Sequence, residues 1–283
     1  MGIVVFNLRL PRILLAIMVG ASLALSGAVF QSIFANPLAT PDTLGVASGA
    51  SFGAVLALLF GAGSLVVQSS ALLFGLLALL LAYYSSFIRG KSTILMMVLA
   101  GIVVGAIFSA LVSLCKYVAD EEEVLPNIVF WLLGSLSAAN YKSLSLTVPF
   151  MAVGMVILLL MSWRINILSL GDDEAKSLGI NTRQNRLAVM LLGTMLTASS
   201  VASCGLVGWV GLLIPHITRM LFGTNNRVVL PFSVVFGAIF MLAVDTLART
   251  WTKGEIPVSI LTALIGAPFF LYLLKKQGRL YAI

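Results

Sequence analysis

A run of about 20 consecutive apolar residues has few places to go other than a lipid bilayer. This chain contains one such run after another, at 13–34, 44–60, 65–84, 94–114, 144–161, 187–206, 207–222, 228–247 and 256–274. The runs are continuous rather than alternating, so they predict helices and not the strands of a barrel. A helix satisfies its own backbone hydrogen bonds, which hydrocarbon cannot do for it. Only 10% of the 283 residues are charged, where a soluble domain carries about 25%. The expected fold is an all-α polytopic transmembrane helical bundle of about nine spans. It forms a single domain over 1–283, with no internal boundary.

The main polar interruption is the island 170–181, Leu170-Gly171-Asp172-Asp173-Glu174-Ala175-Lys176-Ser177-Leu178-Gly179-Ile180-Asn181. Its acids come first, where a helix dipole favours negative charge, and Gly179 follows, where a left-handed cap is easiest. Leu170, Ala175 and Leu178 are its apolar positions. The pattern predicts a two-turn helix on the membrane surface, open to another protein, although an ordinary connecting loop would also fit. If the island is cytoplasmic, loop parity places eleven Lys/Arg on its side (Arg89, Lys91, Arg164, Lys176, Arg183, Arg186, Arg219, Arg227, Lys275, Lys276, Arg279). The outer side then holds six (Arg9, Arg12, Lys116, Lys142, Arg249, Lys253). Basic residues concentrate on the cytoplasmic side, so the count supports that orientation. The C-terminus is then inside, the N-terminus outside, and the acidic run 120–123 outside. The net charge of +7 follows from these loops. No Lys/Arg run is interleaved with aromatics, so nucleic acid is not an expected partner. Residues 1–8 are too short for a cleavable signal, and the first apolar run is too long for one.

The longest connection, 120–142, contains the short apolar stretch 128–136 with Trp131, Gly134, Ser135 and Ser137. It predicts a re-entrant or interfacial element over about 126–141, of the kind that lines a cavity. Gly49 with Gly53 and Gly101 with Gly105 are small-xxx-small pairs, which fit close helix packing or a pore lining. Gly205, Gly208, Gly211 and Pro215 mark a tight turn or a broken helix. Gly90-Lys91-Ser92 lacks the upstream glycine and the strand of a phosphate loop, so no ATP site is expected by that route. Asp245, four residues before Arg249, reads as one half of a local ion pair at the membrane edge. Ion-coupled carriers place ionisable groups near the midplane, so the scarcity of such groups here calls for an energy source outside the chain. Cys115 and Cys204 read as small hydrophobes, and no metal-ligand cluster is visible. His216 is expected to have no ligand role.

Several blocks in order resemble the FecCD family, the permeases of type II ABC importers. They are Arg9-Leu10-Pro11-Arg12, Ala24-Leu25-Ser26-Gly27, Asn36-Pro37-Leu38-Ala39 with Leu44-Gly45-Val46, Trp131-Leu132-Leu133-Gly134-Ser135, the island, Gly211-Leu212-Leu213-Ile214-Pro215-His216 and Gly266-Ala267-Pro268. The resemblance implies a permease, not an enzyme, in the bacterial cytoplasmic (inner) membrane. It would import an iron–siderophore, haem, cobalamin or a similar metal chelate or oxyanion. The implied partners are a second copy of the chain, two ABC ATPase subunits, a periplasmic or lipid-anchored substrate-binding protein, and membrane lipid. The chain itself would carry no cofactor, ATP-Mg being held by the ATPase. By the same resemblance the island is the ATPase-coupling helix, through Leu170, Gly171, Asp172, Asp173, Glu174, Ala175, Leu178 and Gly179. Arg9, Arg12 and Arg249 match the positions that dock the binding protein. Gly101, Gly105, Ser109, Trp131, Gly134, Ser135 and Ser137 match the pore-lining helix and its gate. The family fold has ten spans, and its first helix is absent from this sequence, where only eight residues precede Arg9. The competing expectations are an ion-coupled or passive transporter working without an ATPase, and a membrane scaffold that transports nothing.

Overall fold

A computed structural model describes residues 4–87, 93–252 and 254–281. Arg89, the rejected Gly90-Lys91-Ser92 motif and Lys253 lie outside the described residues. All regular structure among the described residues is helical. In chain order the helices are α1 (Leu10–Ile33, continuing a π-turn over Val5–Arg9), α2 (Val46–Leu59), α3 (Ser64–Ser85), α4 (Ile94–Val118), α5 (Val124–Leu132), α6 (Tyr141–Leu160), α7 (Ser162–Leu168), α8 (Asp172–Ser177), α9 (Thr182–Cys204), α10 (Val210–Phe222), α11 (Asn226–Thr250) and α12 (Val258–Tyr281). Among the described residues six helices are long and apolar enough to cross a membrane: α1 with its leading turn, α3, α4, α6, α9 and α11. Three shorter apolar helices, α2, α10 and the first part of α12, account for the other three apolar runs.

α1 is the centre of the bundle, with α9, α10 and α11 packed around it. Its tightest crossings are glycine on glycine. A Cβ on Gly20 would strike the carbonyl of Gly237 on α11, and one on Gly27 would strike the carbonyl of Gly211 on α10. Without side chains the backbones approach closely, which favours dispersion contact where lipid removes the hydrophobic drive for association. Gly49 and Gly53 do the same for α2 against the Phe74 and Ser70 carbonyls of α3. Gly101 of α4 lies under the backbone of Thr43 and Leu44. Close packing therefore accounts for these three glycines.

α2 begins level with the interior of α4 rather than with its end. The chain leaves α1 through Ala35, whose φ of 47° is rare for a residue with a side chain. It then turns through a 3-10 segment, Pro41–Leu44, and enters α2 at Gly45 with φ 76°. That turn packs against Gly101 and Gly105 of α4, well inside the helix. A second break separates α9 from α10. Gly205 (φ 74°) ends α9, and Trp209 (φ 70°) precedes α10. The chain reverses over 205–209, since α9 ends beside Ser135 and α10 ends with Arg219 at the C-terminal end of α1. Trp209 fits because Gly266 of α12 offers no side chain against its indole.

Candidate functional site

The island forms α8, six residues that hold Asp172, Asp173 and Glu174 in the first turn and Lys176 in the last. Gly171 (φ 124°) and Gly179 (φ 78°) bracket it in conformations that favour glycine. The Ile180 amide donates back to the Ala175 carbonyl at 3.1 Å, closing the C-terminus. Of the three apolar positions only Ala175 is buried, anchoring α8 to the bundle. Leu170 and Leu178 are 60% and 57% exposed. Asp173 is exposed and pairs with Lys176 at 3.3 Å, while Asp172 reaches Arg186 on α9 at 2.8 Å. α8 is thus pinned by one methyl group and one ion pair. It presents two leucines and two carboxylates outward, and exposed leucines beside charges mark a contact surface.

The same end of the bundle is closed by polar locks. The Arg219 guanidinium donates to the Ala28 carbonyl at 2.8 Å, to the Ser32 hydroxyl at 3.1 Å and to the Gln31 side-chain carbonyl. Gln31 in turn donates to the Gly211 carbonyl at 3.1 Å. A cation on the last carbonyls of α1 is favoured by the helix dipole. Asn166 ties α7 to α11, accepting from the Asn226 amide at 2.7 Å and donating to Asn225 at 2.8 Å.

At the opposite end lies a cavity of ≈ 490 Å³ lined by Glu123, Asn127, Trp131, Ser135, Ser137 and Ser203, among others. Its wall is the predicted re-entrant element, seen as α5 followed by a turn at Gly134 (φ 72°). Helix starts earlier than the sequence predicts, at Val124, because the apolar face continues back to the Asp120 turn. The Ser135 amide donates to the Cys204 carbonyl at 2.8 Å, and the Val258 amide to the Gly134 carbonyl at 3.0 Å. These bonds hold the turn between the end of α9 and the start of α12. Ser135 and Ser137 share a hydroxyl contact of 2.9 Å. The structure therefore gathers Trp131, Ser135 and Ser137 around one cavity, with Gly134 forming their turn. Gly101, Gly105 and Ser109 lie apart from them on α4, where Ser109 donates to Ser48 of α2 at 3.3 Å. A smaller cavity of ≈ 50 Å³ lies at the α9–α10 break, bordered by Ser26, Asp42, Thr197 and Trp209.

The cavity end also carries a buried charge cluster. Arg12 Nε lies 2.8 Å from Asp245, Arg12 Nη1 lies 2.7 Å from Glu255, and Arg249 Nε lies 3.2 Å from the second Asp245 oxygen. The expected Asp245–Arg249 pair is present, with Arg12 added to it from far away in sequence. Arg12 is 9% exposed and Asp245 1%. The three rim arginines therefore differ: Arg9 is exposed, Arg249 half-buried, and Arg12 committed to carboxylates of its own chain. Sequence reading missed Arg12–Glu255 and the Arg219 lock, for which no local spacing gives a signal.

A central apolar helix, close-packed spans with two breaks, and a polar turn beside a cavity describe a polytopic membrane protein. The FecCD transport family matches residues 2–276, and the chain belongs to that family. It is 49% identical over 279 residues to the molybdate import system permease protein MolB of Haemophilus influenzae, covering 97% of this chain and 82% of that one. It is 40% identical over 279 residues to a protein of Helicobacter pylori described as a probable iron chelatin transport system permease, covering 98% and 83%. A solved structure described as an inward-facing conformation of a metal-chelate type ABC transporter superposes with a TM-score of 0.93. That structure is 48% identical and covers 97% of this chain and 88% of its own. The protein is accordingly an ABC importer permease, multi-pass in the membrane.

Proposed function

We propose that two copies of this chain enclose a translocation path in the bacterial inner membrane, driven by two ATPase subunits on the α8 face. A substrate-binding protein feeds the opposite face. The observation that carries the reading is α8 itself, rigidly anchored through Ala175 and Asp172–Arg186 yet exposing Leu170, Asp173, Glu174 and Leu178. The breaks beside Gly45, Gly205 and Trp209 supply irregular backbone at depth, which is tolerated where protein or a cavity surrounds it. Hydrolysis of ATP-Mg belongs to the partner ATPase, and the permease converts nucleotide-driven movement at α8 into opening and closing of the path.

The path would use the α4 face carrying Gly105 and Ser109, and the gate of Trp131, Gly134, Ser135 and Ser137. Arg9 and Arg249 would dock the binding protein, with Arg12 holding the rim on which they stand. The cargo is a metal chelate or an oxyanion. Hydroxyls and amides dominate the polar lining of the outer cavity, and such groups hold either cargo without trapping it.

The test is the double charge reversal Asp173→Lys with Glu174→Lys in the assembled transporter. Substrate-stimulated ATP hydrolysis is expected to lose its coupling to uptake, while thermal stability stays within about 0.5 kcal/mol, as for other exposed substitutions. Uptake at the unaltered rate would reject α8 as the coupling element.

A further inference from the structure

A cavity of ≈ 130 Å³ opens at the α8 end, between the end of α3, the start of α4, and the α8–α9 junction. Its polar wall is Thr93, Asp172, Thr182, Arg183 and Arg186, and Phe87 and apolar residues of α4 and α9 form the rest. The charges do not balance. Arg183 sits 4.9 Å above the Phe87 ring, and no carboxylate pairs with it among the described residues. Arg186 gives one nitrogen to Asp172, but its Nε is buried with no acceptor, in a side chain only 13% exposed. A buried donor on a charged group is costly to leave unmet. Both arginines stand in the first turns of α9, a 23-residue helix, whose dipole adds positive potential.

We propose that this cavity binds a tetrahedral phosphate-type oxyanion, either a free anion or the phosphate of a lipid headgroup. An oxyanion there would accept from Arg186 Nε and from the Arg183 guanidinium, with the Thr182 hydroxyl close by. The space is ample, since a single water needs only about 10–15 Å³ by the same measure. The apolar remainder of the wall strengthens the attraction by excluding water. The bound anion takes Arg186 Nε while Asp172 keeps the other nitrogen, so the two negative groups share one guanidinium and repel each other. The site stands whether or not α8 is the coupling element, because its test needs no ATPase.

The test uses the whole chain purified in detergent and titrated calorimetrically with inorganic phosphate. In a second arm the chain is reconstituted in nanodiscs of mixed phosphatidylglycerol and phosphatidylcholine, and retained lipid is counted by native mass spectrometry. Arg183→Gln and Arg186→Gln should each weaken binding by about tenfold, as expected for losing a charge-assisted hydrogen bond. Asp172→Asn should tighten it, because a like charge leaves the cavity wall, and that sign is not expected of a merely structural defect. Arg164→Gln, at the same end but outside the cavity, should change nothing. Phosphate binding that responds in this way identifies a free-anion site, and phosphatidylglycerol retention that responds alone identifies a headgroup site. The proposal is overturned if neither arm distinguishes Arg183→Gln from Arg164→Gln, or if Asp172→Asn weakens binding.

Discussion

α1 and α4 are nearly equal in length, at 24 and 25 residues, and both are strongly apolar. They live in opposite surroundings. In the most apolar window of each span, 78% of residues are buried for α1 and 22% for α4. The difference lies in the small polar and glycine positions rather than in hydropathy. α1 places Gly20 and Gly27 at backbone crossings, and Ser26 and Ser32 at interhelical hydrogen bonds of 2.8 Å to Thr197 and Asn226. α4 instead turns Ile102, Val103 and Ile107 outward, interrupted by an exposed Ser109. A lipid-facing helix gains little from an exposed hydroxyl, which is why we assign that face to the translocation path and the second copy.

The comparison can be broken most forcefully at Gly27. Gly27→Leu has no volume to enter beside the Gly211 carbonyl and should cost more than about 4 kcal/mol, leaving little folded protein. Size-exclusion profiles of the detergent-extracted variant would show it, and a normal monodisperse peak would mean that α1 is not packed as described. Next comes the rim. Arg12→Met leaves Asp245 with Arg249 alone and Glu255 without its cation, and should destabilise by about 1–3 kcal/mol, read by thermal unfolding. Arg249→Met should cost less than Arg12→Met, since it leaves Asp245 its shorter contact to Arg12 and removes the more exposed of the two cations. On α4 the effects should be smaller for the chain and larger for its assembly. Ile107→Trp should leave unfolding within about 0.5 kcal/mol yet reduce the fraction of the proposed dimer seen by light scattering. The mildest change is Gly105→Ala, whose new methyl would sit 3.4 Å from Gly45 Cα, an ordinary contact. It should alter stability by less than about 0.5 kcal/mol, and a larger loss would show that the Pro41–Leu44 turn packs more tightly than it does here.

Spans were readable because hydropathy and length report directly on solvent. The island was readable because its acids and Gly179 obey helix-terminus rules that need no tertiary partner. Which helix is central was not readable, since α1 and α4 have equal claims by hydropathy. The partners of Gly27 and Arg12 lie on α10 and α11, and no local period connects them. The same limit applies to Leu170 and Leu178. They are apolar like Ala175, but the helix covers only Asp172–Ser177, so both leucines fall outside it and stay exposed. Four residues separate Asp245 from Arg249, so that pair was visible, whereas Arg12 and Glu255 enter the cluster only through the fold.

The short α2 has a further consequence for the energetics of passage. Its fourteen residues rise about 21 Å, against about 30 Å for the hydrocarbon core. The missing third is occupied by the turn at Pro41–Leu44, where peptide groups and the Asp42 carboxylate replace methylenes. On the translocation path we propose, a hydrated solute beside α2 would face a dielectric barrier about two thirds as thick as the surrounding bilayer. The cost of desolvating it would fall on the apolar layer that the fourteen residues of α2 span.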